Sequence, residues 1–409
     1  MTSYESDLLR LLDERGHIHQ MTDPVALDKL ARSEIITAYV GFDPTAPSLH
    51  IGNLASIMLL RRVQQAGHRP IVIMGGGTAK VGDPSGKDET RQMLTDAVLA
   101  SNIASIKNSF RQILRFDDSP TGALLINNDD WLSQLGYIEL LRAVGSHLTI
   151  NRMLTFDSVR LRLDREQPLT FLEFNYMIMQ AYDFVVLSRE YGCKLQLGGS
   201  DQWGNIINGV ELARRIDGTE VYGVTAPLIT RADGQKMGKS VSGAVWLNED
   251  QLPAYDFWQY WRNVDDRDVG RFLRLFTDLP LDEITRLEAL EGAEINAAKT
   301  VLANQVTALV RGAEAAARAE ATARETFAGS GAGEDLPSMA TGPEGARIAA
   351  LLTELGLTAS NGEAKRKLAE GAVKLDGATI TDPAYLVVPE DGQTLRLSLG
   401  KKRHALIRR

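Results

Sequence analysis

The apolar positions between Ile36 and Met74 change period twice. Ile36–Gly41 is a short apolar run that stops at glycine. Leu54, Ile57, Met58, Leu60 and Val63 then recur at helical spacing, and Pro70 precedes a second apolar run, Ile71–Met74. Strand, helix and strand in that order predict a βαβ unit, which implies a parallel sheet. A second strand-to-helix step falls at Lys194–Arg214, where Leu195 and Leu197 run into Gly198-Gly199 and a helix opens near Asp201. Both steps end a strand in glycine and place polar residues at a helix N-terminus, which is where open α/β sheets bind ligands.

Asp130–Ser188 carries helical periodicity and reads as a helical insertion between the two halves of the sheet. After Tyr222 a polar loop, Thr230–Ser242, leads into another helical region that ends in the Ala-rich stretch Ala297–Phe327. Ala328–Glu344 is rich in Gly, Ser and Pro without an apolar pattern, the composition of a linker. The expected architecture is therefore a Rossmann-like α/β domain with a helical insertion (1–225), a polar loop and α-helical domain (226–327), a linker (328–344) and a small α+β domain (345–409). A chain of 409 residues fits such a division, because single cores rarely grow that large.

Composition narrows the class. With 44% apolar and 24% charged residues the chain is an ordinary globular mixture. Its single cysteine, Cys193, excludes an internal disulfide framework and a Cys-rich metal site and suits a reducing compartment, the cytoplasm. No apolar run approaches a membrane span. Met1–Gln20 reads as an amphipathic helix with acids and bases mixed, not as a secretory leader. The net charge of −8 is unevenly spread: Gly362–Arg409 has 10 basic and 6 acidic residues, and Arg396–Arg409 has six basic residues and no acid. A phosphate-binding tail on an acidic body gives this asymmetry, and so does a solvated tail kept for solubility.

Four constellations could carry chemistry. In Asp43–Asn53 two prolines stiffen the loop, His50 opens the helix and Gly52 permits close backbone approach. A helix N-terminus favours anions, and Thr45 and His50 could donate to phosphate oxygens there; a histidine that merely caps the helix would look the same. Thr230–Ser240 holds two lysines, Lys236 and Lys239, and Ser240 in a Gly-punctuated loop. Such a loop can close on a triphosphate, and it can equally be plain surface. Gly75-Gly76-Gly77-Thr78 with Gly82–Lys87 lacks the Walker spacing, because Asp88 follows Lys87, so it is not a P-loop; a Gly-rich turn after a strand remains. In Gln196–Trp203, Asp201 could bind a ribose diol or cap a helix.

His50-Ile51-Gly52-Asn53 and Lys236-Met237-Gly238-Lys239-Ser240, in this order, resemble the two signatures of class I aminoacyl-tRNA synthetases. Tyr39–Thr45, Gly82–Gly86, Gln180–Phe184 and Gly198–Asn205 resemble the bacterial tyrosyl members in particular, and the resemblance covers nearly the whole chain. It implies ATP-dependent activation of tyrosine followed by transfer to tRNA. It assigns Tyr39 and Asp183 to the phenolic hydroxyl, Asp83, Tyr176 and Gln180 to the ammonium, and Gln202 to the reacting carboxylate. Gly199 and Asp201 would meet the ribose, with Asp43 and Gly52 lining the groove. Thr45, His50, Lys236, Lys239 and Ser240 would meet the ATP phosphates, and Lys87 and Arg91 the departing pyrophosphate. Mg²⁺ would come with ATP, with no metal resident in the protein, and no membrane is expected among the partners.

Two positions depart from the family pattern. Asn53 stands for histidine, which keeps hydrogen-bonding capacity, and Gly238 stands for serine, which should loosen the loop. The family is usually homodimeric, and the resemblance matches Phe171 to an interface position. Leu357–Asp382 resembles an RNA-binding module shared with a small-subunit ribosomal protein, so Lys365, Arg366, Lys367, Lys374, Lys401, Lys402 and Arg403 would face tRNA. Two rival readings are a tryptophanyl relative, disfavoured because indole offers only one N–H donor to the Tyr39–Asp183 pair, and a non-catalytic RNA-binding protein on the same body.

Overall fold

The computed structural model describes residues 4–83, 93–234, 237–240, 243–328, 336–400 and 403–409, without the side chains at 157–158, 239–240 and 326–328. It forms two compact units. The first comprises Met1–Gly238, Trp246–Gln251 and Asp265–Glu291, and the second Lys239–Val245, Leu252–Val264 and Gly292–Arg409.

The first unit is built on a six-stranded sheet of β1 (Gln20–Met21), β2 (Thr37–Phe42), β3 (Arg69–Met74), β4 (Leu124–Asn127), β5 (Cys193–Gly199) and β6 (Tyr222–Ala226), in spatial order β1-β6-β5-β2-β3-β4. All neighbours run parallel except β1, which pairs antiparallel with β6 at the edge. The inner strands are buried nearly end to end, as strands with helices on both faces must be. The order places β2 beside β5, so the two strand-to-helix steps seen in the sequence become spatial neighbours. Helix α1 (Ile51–Gln65) follows β2, α2 (Phe171–Tyr191) precedes β5, and α3 (Trp203–Asp217) follows it.

Helix α2 is fixed at both ends. A capping box joins Thr170 and Glu173, and Gly192 closes the helix in the left-handed region at φ 61°. The buried Arg62 of α1 donates to Asp278 Oδ1 (2.5 Å) and to the Thr277 carbonyl (2.7 Å), and Arg15 donates to the same carbonyl (2.8 Å). This stitches the segment 265–291 to the first unit, whereas the sequence pattern alone groups it with the helical domain. The difference arises because the tie is made by side chains more than 200 residues apart.

In the second unit, β7 (Lys239–Ser240) and β8 (Gly243–Ala244) pair antiparallel, and helices Ala254–Arg262, Ile295–Arg311 and Ala313–Ala328 pack on one another. A five-stranded sheet of residues 338–340, 373–375, 378–379, 394–399 and 403–408 follows, with helices Ile348–Glu354 and Asn361–Ala369. Its core is Ile348, Leu351, Leu352, Leu368, Val373, Leu397 and Ile407. Ser338–Ala340 falls inside the expected linker, yet it pairs in parallel with Arg403–Arg408. Three residues without apolar periodicity join a sheet because backbone hydrogen bonds need no side-chain pattern.

Candidate active site

The C-terminal ends of β2, β3, β4 and β5 surround a cavity of about 430 Å³. At its inner end Tyr39 packs edge-on against Phe184, ring centroids 5.2 Å apart. The Tyr39 hydroxyl is buried and has no hydrogen-bond partner among the described residues. Gln196, its register partner on β5, likewise has a buried and unpartnered Oε1. Asp183 faces the same space from α2, and each of its oxygens accepts one bond: Trp131 Nε1 donates to Oδ1 (2.8 Å) and Asn128 Nδ2 to Oδ2 (2.9 Å). Burial pushes the Asp183 carboxyl up to about 7 and Asp43 adds to this, while the two donors oppose it. Burial and the nearby Asp183 also raise the Tyr39 phenol, so it stays a neutral donor at physiological pH.

Tyr176, Gln180 and Asp183 lie four and three residues apart, so α2 presents all three on one face. Tyr176 Oη donates to Asp43 Oδ2 (3.1 Å), and Thr78 Oγ1 donates to Asp43 Oδ1 (2.8 Å). Gly75 makes this meeting possible, because an added Cβ there would collide with the Asp43 carboxylate and the Thr78 hydroxyl. The Gly-rich segment is thus a turn that serves the site. Farther along, Gln202 Nε2 donates to Asp83 Oδ2 (3.0 Å), Gln180 Nε2 to Gln202 Oε1 (3.3 Å), and Asn205 Nδ2 to Gln180 Oε1 (3.0 Å). Carboxylates and carboxamides together make an acceptor-rich wall suited to an ammonium group.

At the outer end His50 is the N-cap of α1. The Gly52 N–H donates to His50 Nδ1 (3.1 Å) and the His50 N–H donates to Asn53 Oδ1 (3.1 Å). An accepting Nδ1 leaves the proton of the neutral ring on Nε2. Half of the Asn53 carboxamide is therefore spent on the cap. A Cβ at Gly52 would lie 2.8 Å from His50 Cε1 and 3.0 Å from the Met237 carbonyl, so glycine here admits protein groups as well as any ligand. Gly238 has φ 137° and sits beside the His50 ring. In this region glycine is a conformational requirement, where the sequence suggested only looseness. Thr45, Asp43, Gly199 and Asp201 also line the cavity.

Lys87, Arg91 and Lys236 lie outside the described residues, as do the side chains of Lys239 and Ser240. In the C-terminal sheet domain, Lys365, Arg366 and Lys374 are exposed. Lys367 pairs with Glu370 (2.7 Å), and Arg403 donates to the Leu357 carbonyl (2.8 Å), so part of that guanidinium serves the fold. Lys401 and Lys402 lie outside the described residues.

Residues 31–328 match the family of class I tRNA synthetases for tryptophan and tyrosine, and residues 329–407 match the C-terminal domain of tyrosine–tRNA ligases. A tyrosine–tRNA ligase of Novosphingobium aromaticivorans is 64% identical over 409 residues, covering all of both chains. One from Zymomonas mobilis is 57% identical over 407 residues, covering 100% of this chain and 99% of its own. The chain belongs to the tyrosine–tRNA ligases. A C-terminally truncated mitochondrial tyrosyl-tRNA synthetase of Aspergillus nidulans superposes with a TM-score of 0.71 at 30% identity, covering 78% of this chain and 94% of that one.

As a tyrosine–tRNA ligase it activates tyrosine with ATP, releasing pyrophosphate, and transfers the tyrosyl group to tRNA. This removes the tryptophanyl and the non-catalytic readings. Sequence reasoning passed over Asn128 and Trp131 and gave Thr78 and Asn205 no role of their own; all four bond to the candidate residues. A signal for the first two exists: Leu124–Ile126 runs into Asn127-Asn128-Asp129, a further strand that ends in polar residues and pairs with β3.

Proposed function

We propose that the cavity binds tyrosine and ATP end to end. The phenol lies between Tyr39 and Asp183, the ammonium at Asp83, Tyr176 and Gln180, and the carboxylate near Gln202. Gly199 and Asp201 take the ribose, and Asp43, Gly52 and Asn53 line the groove between. Thr45, His50, Lys236, Lys239 and Ser240 take the phosphates, with Lys87 and Arg91 at the pyrophosphate. The observation that carries this reading is the pairing of a buried Asp183 with a buried, unpartnered Tyr39 hydroxyl on one cavity wall. A phenol is donor and acceptor at once and satisfies both, and a buried polar group left unpaired is costly.

In this reading the tyrosine carboxylate attacks the α-phosphorus and pyrophosphate leaves. No side chain acts as nucleophile or base. Catalysis is positioning plus stabilisation of charge that grows on phosphate oxygens, for which the His50 Nε2–H is suitably placed at the helix N-terminus. Mg²⁺ belongs to the ATP substrate and is held by its phosphates. The cytoplasm, where tRNA and ATP meet, is the proposed site of action. The last domain, from about residue 329, holds tRNA through the exposed Lys365, Arg366 and Lys374. The active form is a homodimer, supported by Phe171 (70% exposed), Ile150 (60%), Leu163 (50%) and Leu172 (44%) on neighbouring elements of the insertion.

Binding to the unaltered protein tests the amino-acid end. Tyrosine and tyramine should bind in calorimetry, and phenylalanine should bind at least about 100-fold more weakly than tyrosine. Phenylalanine within about tenfold of tyrosine would remove the phenol from Tyr39 and Asp183.

A further inference from the structure

Residues 246–248 follow the second signature segment, and they are zipped to residues 48–50, which lead into the helix opened by His50. Trp246 forms an antiparallel bridge with His50, the Leu247 N–H donates to the Leu49 carbonyl (2.7 Å), and the Asn248 N–H donates to Ser48 Oγ (3.0 Å). The Asn248 side chain then reaches a third element. Ser109 Oγ donates to its Oδ1 (2.6 Å), and its Nδ2 donates to the Ser105 carbonyl and hydroxyl (3.1 Å each) and to the Pro47 carbonyl (3.4 Å). Ser105 and Ser109 are one turn apart on the helix Asp96–Arg111. Only a carboxamide both accepts from a hydroxyl and donates to two carbonyls at one point. On the other side of the same helix N-terminus, the Met237 carbonyl and Gly238 lie against Gly52 and His50.

We propose that Asn248 is a positioning residue for tyrosine activation: through residues 246–248 it fixes His50 against the helix Asp96–Arg111. The residue lies in no signature and touches neither proposed substrate position. The inference rests on the reading of His50 as a phosphate donor. A ring at a helix cap must be placed to a fraction of an ångström to meet charge that appears only in the transition state, and buried networks supply that placement. A purely structural Asn248 would stabilise the fold without regard to His50.

Single-turnover adenylate formation by the full-length protein separates the two. Asn248→Ala should slow it about 10- to 30-fold and leave the tyrosine dissociation constant within about twofold. In a His50→Ala background the same change should cost less than about threefold, because the group it positions is gone. Ser109→Ala removes one bond and leaves the carboxamide in place; it should repeat the pattern at about three- to fivefold, and it carries the test if Asn248→Ala does not fold. Losses that multiply across the double variant, or tyrosine affinity falling in step with rate, overturn the proposal. A wild-type rate in His50→Ala alone overturns the phosphate reading itself, and this is seen before any Asn248 variant is examined.

Discussion

Trp131 gives its indole N–H to the same Asp183 carboxyl that Asn128 holds from the other side, 2.8 Å to Oδ1 and 2.9 Å to Oδ2. The two donors aim the group and favour its charged form, while burial favours the neutral one. The balance, near 7, falls where small changes matter.

Tyrosine affinity should therefore depend on pH. The folded-state value lies above the ordinary 3.8, so the native protein holds a proton that the unfolded chain has lost between those limits. Stability from the neutral acid is full below about pH 4 and is lost as pH rises toward 7. The ionised acceptor for the phenol O–H appears over the same rise. Calorimetry should show tyrosine binding tightening as pH passes through about 7, and Trp131→Phe, which removes a donor to the charged form, should move that midpoint upward. An unmoved midpoint would mean that Asp183 does not govern binding.

Tyr39→Phe removes a hydroxyl without opening a cavity. Tyrosine binding should weaken by about 0.5–1.5 kcal/mol, and the preference for tyrosine over phenylalanine should shrink by a similar factor. The check is kcat/KM for both amino acids in pyrophosphate exchange. An unchanged ratio would show that Tyr39 does not read the phenol.

His50 caps a helix and is also assigned to the phosphates, and the two roles can be pulled apart. His50→Ala should lose about 1 kcal/mol of stability with the cap. It should also lose about 3 kcal/mol of transition-state stabilisation. His50→Ser can still cap but cannot reach a phosphate, so thermal melting should recover while adenylate formation stays slow. Recovery of both would leave His50 as a cap alone.

The basic face of the last domain predicts a salt effect. Replacing Lys365, Arg366 and Lys374 together by Ala should leave pyrophosphate exchange unchanged and weaken tRNA charging. The slope of log affinity for tRNA against log salt should flatten by about 2 to 3. An unaltered slope would place the RNA contacts elsewhere.

The strands around the site were legible because apolar runs ending in glycine repeat at two places, and the parallel sheet makes neighbours of β2 and β5. The signature residues were legible through order and spacing. Asn128, Trp131 and Asn248 were not, because each acts by a bond across 50 or more residues that leaves no local period. The segment 265–291 was misgrouped for the same reason: Arg62 and Asp278 meet only in the fold. Gly238 shows the limit from the other side, since a glycine that looks like slack in a string is a required left-handed turn beside His50.

Tyr39 and Gln196 are register partners on adjacent strands, and the Tyr39 hydroxyl and the Gln196 side-chain oxygen are both buried and without a protein partner among the described residues. Buried polar atoms without partners make the fold less stable than its scaffold permits. Tyr39→Phe or Gln196→Leu should raise the melting temperature of the unliganded protein while dulling its choice of amino acid. Tyrosine should in turn raise the melting temperature of the native protein more than that of either variant. Selectivity in this enzyme is then visible as a thermal property, measurable before any reaction is run.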